Sequence, residues 1–205
     1  MLTNRHVARP WEDDTNVDAL RETGVEPELL RFIGYIPDRQ QSFAVELLKA
    51  SDETDLAILT SSDPVGGLPF LPLSARLPVP GEEIFVMGYP TGLITMLAQT
   101  GEGFLADLER DEALDFWQVA ERLASKGYIR PLASRGIIGQ RSAAILVYDA
   151  ETTHGGSGGP VLDINGEVVA VNTAIIPEYG GSNFGVPVEY ARRLLTQAGV
   201  GLGTD

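Results

Sequence analysis

Ser157 sits in Gly155-Gly156-Ser157-Gly158-Gly159-Pro160, with glycine on both sides. A serine placed this way can act as a nucleophile in acyl transfer. Glycines take backbone geometries closed to other residues, so a tight turn can aim successive N–H groups at the point where an oxyanion would form. A hydroxyl is a weak nucleophile until a base takes its proton. The serine therefore needs a histidine, and the histidine needs a carboxylate to fix its tautomer. Taken alone, the same glycine-rich stretch also fits a flexible loop with no chemistry.

The stretch satisfies Gly-x-Ser-x-Gly, the nucleophile elbow of α/β-hydrolases, but chain order separates the alternatives. The only histidines are His6 and His154, and none follows Ser157, whereas an α/β-hydrolase places its acid and then its histidine after the serine. No aspartate precedes His6, which removes the order Asp, His, Ser. With Ser157 as nucleophile and His6 as base, the order His, Asp, Ser remains. His154 competes for the role of base. It lies within the turn that would form the oxyanion hole, a place better suited to lining a substrate cleft.

Several acids could orient His6. Asp55 is favoured because it leads straight into Leu56-Ala57-Ile58-Leu59, where the end of a buried strand can hold a carboxylate against an imidazole. Asp52 is the alternative, and its ordinary reading is a turn or helix cap.

The elements that must position these residues are mostly strands. Arg31 to Ile36 and Ser42 to Leu48 are rich in aromatic and β-branched residues and flank the polar turn Asp38-Arg39-Gln40-Gln41, a hairpin pattern. A short helix is predicted near Asn16 to Arg21, begun by an Asn or Asp cap. Leu56 to Leu59 follows as a strand. Residues 64–82 are dense in Pro and Gly and read as a connector between two β-rich halves, 1–63 and 83–205. Glu83 to Met87 is a strand ending at Gly88-Tyr89-Pro90. Residues 103–127 repeat Leu, Phe and Val at threes and fours among charges and read as amphipathic helices. Strands return at Ala143 to Tyr148, Pro160 to Leu162 and Glu167 to Thr173, with Asn165-Gly166 as a tight turn between the last two. Val186 to Ala198 closes the chain as an amphipathic helix.

Composition narrows the function classes. The 205 residues are 43% hydrophobic and 21% charged, with 23 Gly and 13 Pro, ordinary for a globular domain rich in strands and turns. A net charge of −14 disfavours nucleic acid or an anionic bilayer as partner. No run approaches the roughly 18 apolar residues of a membrane span. The absence of cysteine excludes disulfides, Cys-based zinc sites and thiol nucleophiles.

Three blocks in this order, Leu2-Thr3-Asn4-Arg5-His6-Val7, Asp55-Leu56-Ala57-Ile58-Leu59 and Gly156-Ser157-Gly158-Gly159-Pro160, resemble the catalytic blocks of HtrA-like trypsin-type peptidases. Gly166 to Ile175 resembles the strand after the serine in that family, Asn183 to Pro187 the entry to its final helix, and Gly88 to Gly92 an early turn of its second barrel. The resemblance covers most of the chain except residues 9–30 and 103–135. It implies a mainly β chymotrypsin-like fold of two antiparallel barrels of six strands each. It implies hydrolysis of a polypeptide substrate through an acyl-enzyme, with no metal or organic cofactor. The Gly155 and Ser157 N–H groups would form the oxyanion hole, and Thr173 would sit near the Asp55 carboxylate. Thr152, Ala174 and Ile175 would line the primary specificity pocket together with Thr173. These side chains carry no acid, so a small or medium aliphatic residue is expected before the scissile bond.

The chain departs from the family in several places. Met1 stands where an interior strand residue is expected, which predicts an incomplete first barrel. It also predicts that further strands, and any export signal, lie upstream or that another segment covers the open edge. Gly156 replaces the family's usual Asn, which predicts a looser oxyanion turn. Residues 103–135 add a helical insertion expected to pack against the barrel. No PDZ-like domain is expected from the residues after the final helix. Besides a serine endopeptidase, the sequence accommodates a catalytically impaired peptide-binding or regulatory module and an esterase of the same fold.

Overall fold

A computed structural model describes residues 1–12, 14–63, 68–111, 114–153, 155–175 and 182–201, with the backbone alone for Ala174 and Ile175. The first half runs β1 (Leu2–Thr3), α1 (Arg5–Ala8), α2 (Thr15–Glu22), β2 (Ile33–Gly34), β3 (Phe43–Ala44), β4 (Glu46–Ala50) and β5 (Ala57–Thr60). The aspartate cap expected for the first of the longer helices is Asp14, whose side chain accepts from the Asn16 N–H at 2.8 Å. The hairpin forms across the Asp38–Gln41 turn, with Ile33 opposite Ala44 and Gly34 opposite Phe43.

β5 is the central strand of an antiparallel sheet ordered β1-β5-β4. Ala57 to Leu59, and Leu56 just before the strand, are buried because both neighbours and the second half cover them: Leu56 and Ala57 fully, and Ile58 and Leu59 nearly so. Among the described residues this half does not close into the barrel that the family resemblance implied. β2 and β3 are two residues each and pair only with one another, so three strands remain, too few to wrap around a core. The expectation of an incomplete first barrel fits this open sheet.

The second half runs β6 (Glu83–Gly88), α3 (Leu93–Ala98), α4 (Glu102–Glu109), α5 (Phe116–Ser125), β7 (Leu132–Arg141), β8 (Leu146–Tyr148), β9 (Pro160–Asp163), β10 (Val168–Ile175), β11 (Asn183–Pro187) and α6 (Val188–Gln197). Six antiparallel strands close a barrel in the order β10-β11-β8-β7-β6-β9. β6 shows the alternation a barrel wall requires: Ile84 and Val86 point to the interior, which they fill with Ile138, Leu146, Tyr148, Val161 and Val169. β10 instead starts with the continuous apolar run Val168 to Val171 because it is covered on both faces. Val169 and Ala170 belong to the barrel interior, and Val171 packs with Leu56, Ile58, Val186, Ala191 and Leu194. That second cluster joins the two halves through β5 and α6.

The longest strand, β7, was not anticipated; the helical insertion was expected to run to about residue 135, four residues into it. Glycines, serine and arginines interrupt its apolar pattern, and only Gly136 and Ile138 are buried along it. The last helix begins at Val188 rather than Val186, because Val186 and Pro187 complete β11. The insertion is helical as expected, with a core of its own: Met96, Leu123, Ala124 and Ile129 are buried among Tyr35, Tyr89, Phe104 and Tyr128. α5 starts with a reciprocal cap, in which Asp115 accepts from the Gln118 N–H at 2.8 Å and the Gln118 side chain accepts from the Asp115 N–H at 2.9 Å. Among the described residues no helix is long and apolar enough to cross a membrane.

Candidate active site

His6 is carried by the single turn α1, directly after β1. The preceding Asn4 is fully buried and donates from Nδ2 to the Asp55 carbonyl at 2.8 Å, tying the histidine-bearing turn to the loop between β4 and β5. That loop is closed by its own bonds. The Ser51 hydroxyl accepts from the Glu53 and Thr54 N–H groups at 3.2 and 3.1 Å, and the Ser51 N–H donates to the Leu56 carbonyl at 2.9 Å. Asp55 therefore projects from a fixed loop whose next residue, Leu56, is locked in the core that joins the halves.

The acid that meets the imidazole is Asp55. Its Oδ2 lies 2.7 Å from His6 Nδ1, its Oδ1 accepts from the His6 backbone N–H at 3.0 Å, and the Thr173 hydroxyl also donates to Oδ2. Asp52 is exposed on the same loop. Burial works to raise the Asp55 pKa, but the bonds from the His6 ring, the Thr173 hydroxyl and the His6 amide outweigh it and bring it from 3.8 to about 2. An ionised Asp55 that accepts at Nδ1 places the neutral histidine's proton on Nδ1 and leaves Nε2 as an acceptor.

Ser157 lies on the turn between β8 and β9, and its Oγ donates to the Thr173 carbonyl at 3.2 Å. Thr173 thus touches both the serine, through its carbonyl, and Asp55, through its hydroxyl. It can do so because β10 changes register between Asn172 and Ala174, a bulge that turns the residue between them toward the cleft. The turn also meets the first half directly, since a Cβ on Gly158 would fall on the Thr3 side chain. Gly155 takes φ +91°, and a Cβ there would meet the Tyr89 carbonyl and, at 3.2 Å, the Gly92 nitrogen, so only glycine fits. Among the described residues the N–H groups of Gly155 and Ser157 have no protein acceptor.

The turn is less loose than a glycine before the serine predicts. Gly156 is buried, its N–H donates to the Thr153 carbonyl at 2.9 Å, and its carbonyl accepts from Asn172 Nδ2 at 2.9 Å and from the Gly159 N–H at 3.1 Å. Sequence reasoning passed over Asn172 and Tyr148 as site residues. A buried asparagine inside an apolar strand was the available signal, because a buried amide needs partners. Tyr148 is buried, and that burial pushes its phenol well above the ordinary range, so it stays a neutral donor.

Of the residues expected to line the specificity pocket, Thr173 faces Asp55. Thr152 lines a cavity of about 230 Å³ between the serine turn and the adjoining ends of β6 and β7, with Gly88, Pro90, Ser134, Glu151 and Gly156. Ala174 and Ile175 belong to β10, and their side chains lie outside the described part. His154, read as lining the substrate cleft, also lies outside the described residues.

The fold and the residues it gathers define a class: a β-rich domain in which a histidine–aspartate pair of one half is linked through Thr173 to a glycine-bounded serine of the other. The sequence profile of the "Trypsin-like peptidase domain" matches residues 1–171. The chain belongs to this family. It is 28% identical over 150 residues to "Putative serine protease HhoA" of Synechocystis sp., covering 72% of this chain and 32% of that protein. It is also 28% identical over 163 residues to "Protease Do-like 1, chloroplastic" of Arabidopsis thaliana, covering 77% of this chain and 31% of that protein. The chain thus spans about a third of the length of these curated relatives. A serine endoprotease structure from Yersinia pestis superposes with a TM-score of 0.62 at 20% identity over 96% of this chain and 52% of that one, which marks a shared fold.

Proposed function

We propose that the protein is a serine endopeptidase in which Ser157 is the nucleophile, His6 the general base and Asp55 the residue that orients His6. One observation carries the reading: the Asp55 carboxylate binds the His6 ring at 2.7 Å and, through Thr173, is linked to the serine. In the proposed reaction the Ser157 hydroxyl leaves the Thr173 carbonyl, gives its proton to His6 Nε2 and attacks the substrate carbonyl carbon. The oxyanion that forms is met by the Gly155 and Ser157 N–H groups. Collapse breaks the peptide bond, and His6 returns the proton to the leaving amine. Water, deprotonated by His6, then hydrolyses the acyl-enzyme. The substrate is a polypeptide, and the reaction asks for no metal or organic cofactor. We keep the proposal that Thr152, Thr173, Ala174 and Ile175 border the pocket for a small or medium aliphatic residue before the scissile bond.

The test is hydrolysis of a peptide library by wild type and by Ser157→Ala. Cleavage after aliphatic residues that disappears in the variant supports the whole reading. A profile led by Lys or Arg would overturn the specificity proposal and direct attention to Glu151. A second reading, a peptide-binding module without turnover, draws on the serine hydroxyl being engaged by the Thr173 carbonyl at 3.2 Å. Peptide binding by calorimetry with no cleavage would select it.

A further inference from the structure

The Gly156–Ser157 peptide is one planar trans unit, so the Gly156 carbonyl and the Ser157 N–H point in opposite directions. Whatever fixes the carbonyl therefore fixes the N–H. Asn172 Nδ2 donates to that carbonyl at 2.9 Å from behind the turn. The same residue grips the turn with its backbone: its N–H donates to the Gly159 carbonyl and its carbonyl accepts from the Gly158 N–H, each at 2.9 Å.

The amide itself has one available orientation. The Gly156 carbonyl needs a donor facing it, and the Tyr148 hydroxyl, buried in the barrel, favours the same orientation. Its shorter bond, at 2.5 Å, is to Asn172 Oδ1 and its longer one, at 3.2 Å, to the Phe184 carbonyl, while Thr152 Oγ1 at 3.5 Å is a second acceptor for the NH₂ end. The space beside Gly156 is filled by this network. A Cβ there would fall on Thr152 Oγ1 and come within 3.3 Å of Asn172 Nδ2. A side chain at 156 would have to displace the Thr152 hydroxyl, the second acceptor of the Asn172 amide, and crowd the amide itself.

We infer that Asn172, oriented by Tyr148, is the positioning residue for the oxyanion donor Ser157 N–H. The inference rests on the endopeptidase reading. The amide reaches from β10 into the serine turn and does for Gly156 what a side chain on residue 156 cannot do in this packing. Asn172 touches no substrate; it acts through the peptide it holds.

Asn172→Asp tests this with little change of shape, since it sets a carboxylate oxygen against the Gly156 carbonyl and drives that peptide to turn over. The expected result is a fall in kcat of about 100-fold, the loss of one oxyanion donor, with KM within about threefold of wild type. Affinity for a peptide boronic acid, whose tetrahedral adduct fills the oxyanion position, falls in parallel, while affinity for the product peptide does not. Tyr148→Phe removes only the hydroxyl and is expected to lower kcat about tenfold with the same KM. It decides the matter if Asn172→Asp does not fold. Folded variants that keep wild-type kcat and boronate affinity would overturn the inference. A wild type that hydrolyses nothing overturns the endopeptidase reading instead. In that case a crystal structure of Asn172→Asp still judges the positioning: a rotated Gly156 carbonyl supports it, and an unmoved one refutes it.

Discussion

Replacing Asp55 with asparagine separates what the carboxylate does for the fold from what it does for chemistry. In the wild type it accepts three hydrogen bonds, from the His6 ring, the His6 amide and the Thr173 hydroxyl. Its pKa falls from 3.8 to about 2, a depression of a little under two units, or about 2 kcal/mol. With 29% of the side chain exposed, solvent screening leaves about 1–2 kcal/mol. A depressed carboxylate stabilises the fold fully above its unfolded pKa and loses that contribution as pH falls from about 4 to about 2. Urea denaturation at pH 7 and at pH 2–3 should therefore show the wild-type advantage over Asp55→Asn shrinking by about 1–2 kcal/mol in acid. The catalytic effect is much larger. An asparagine NH₂ facing Nδ1 forces the proton to Nε2, where it blocks acceptance from the serine, and kcat should drop by about 10⁴. A variant within tenfold of wild-type kcat, or one whose stability difference does not change with pH, would refute the assigned role.

Further outcomes follow from the same contacts. Thr173→Val removes the hydroxyl bonded to Asp55 and should lower kcat/KM by about 10-fold or more, while Thr173→Ser keeps it near wild type; steady-state kinetics on one peptide decides. Gly155→Ala places a methyl against the Tyr89 carbonyl at a φ of +91°, so thermal unfolding should show a loss of about 1–3 kcal/mol. Leu123→Ala opens a void under α5 at a fully buried position and should cost about 2–5 kcal/mol by urea denaturation.

Which candidate residues meet was more legible than the scaffold that holds them. Scarcity made it so: with two histidines and one glycine-bounded serine, chain order left few arrangements, and Asp55 could be chosen because it leads into the buried Leu56 and the strand that follows. β10 and the Asn165-Gly166 turn were readable for a similar reason, since an apolar run covered on both faces leaves a continuous trace. β7 left none, because most of it is exposed and its glycines and arginines look like loop. The incomplete first barrel was expected, and among the described residues the first half forms a three-stranded sheet and a separate two-stranded hairpin. Asn172 was hidden for another reason. Its importance lies in the direction of one amide, set by Tyr148 from a different strand, and only the assembled barrel brings the two together.

The proposed reaction requires Ser157 to be an activated nucleophile. Incubation with a fluorophosphonate probe, digestion and mass spectrometry tests this most directly. The expected result is one adduct, on Ser157, absent in Ser157→Ala and formed far more slowly in His6→Ala. An unlabelled wild type, or labelling that persists in Ser157→Ala, would contradict it.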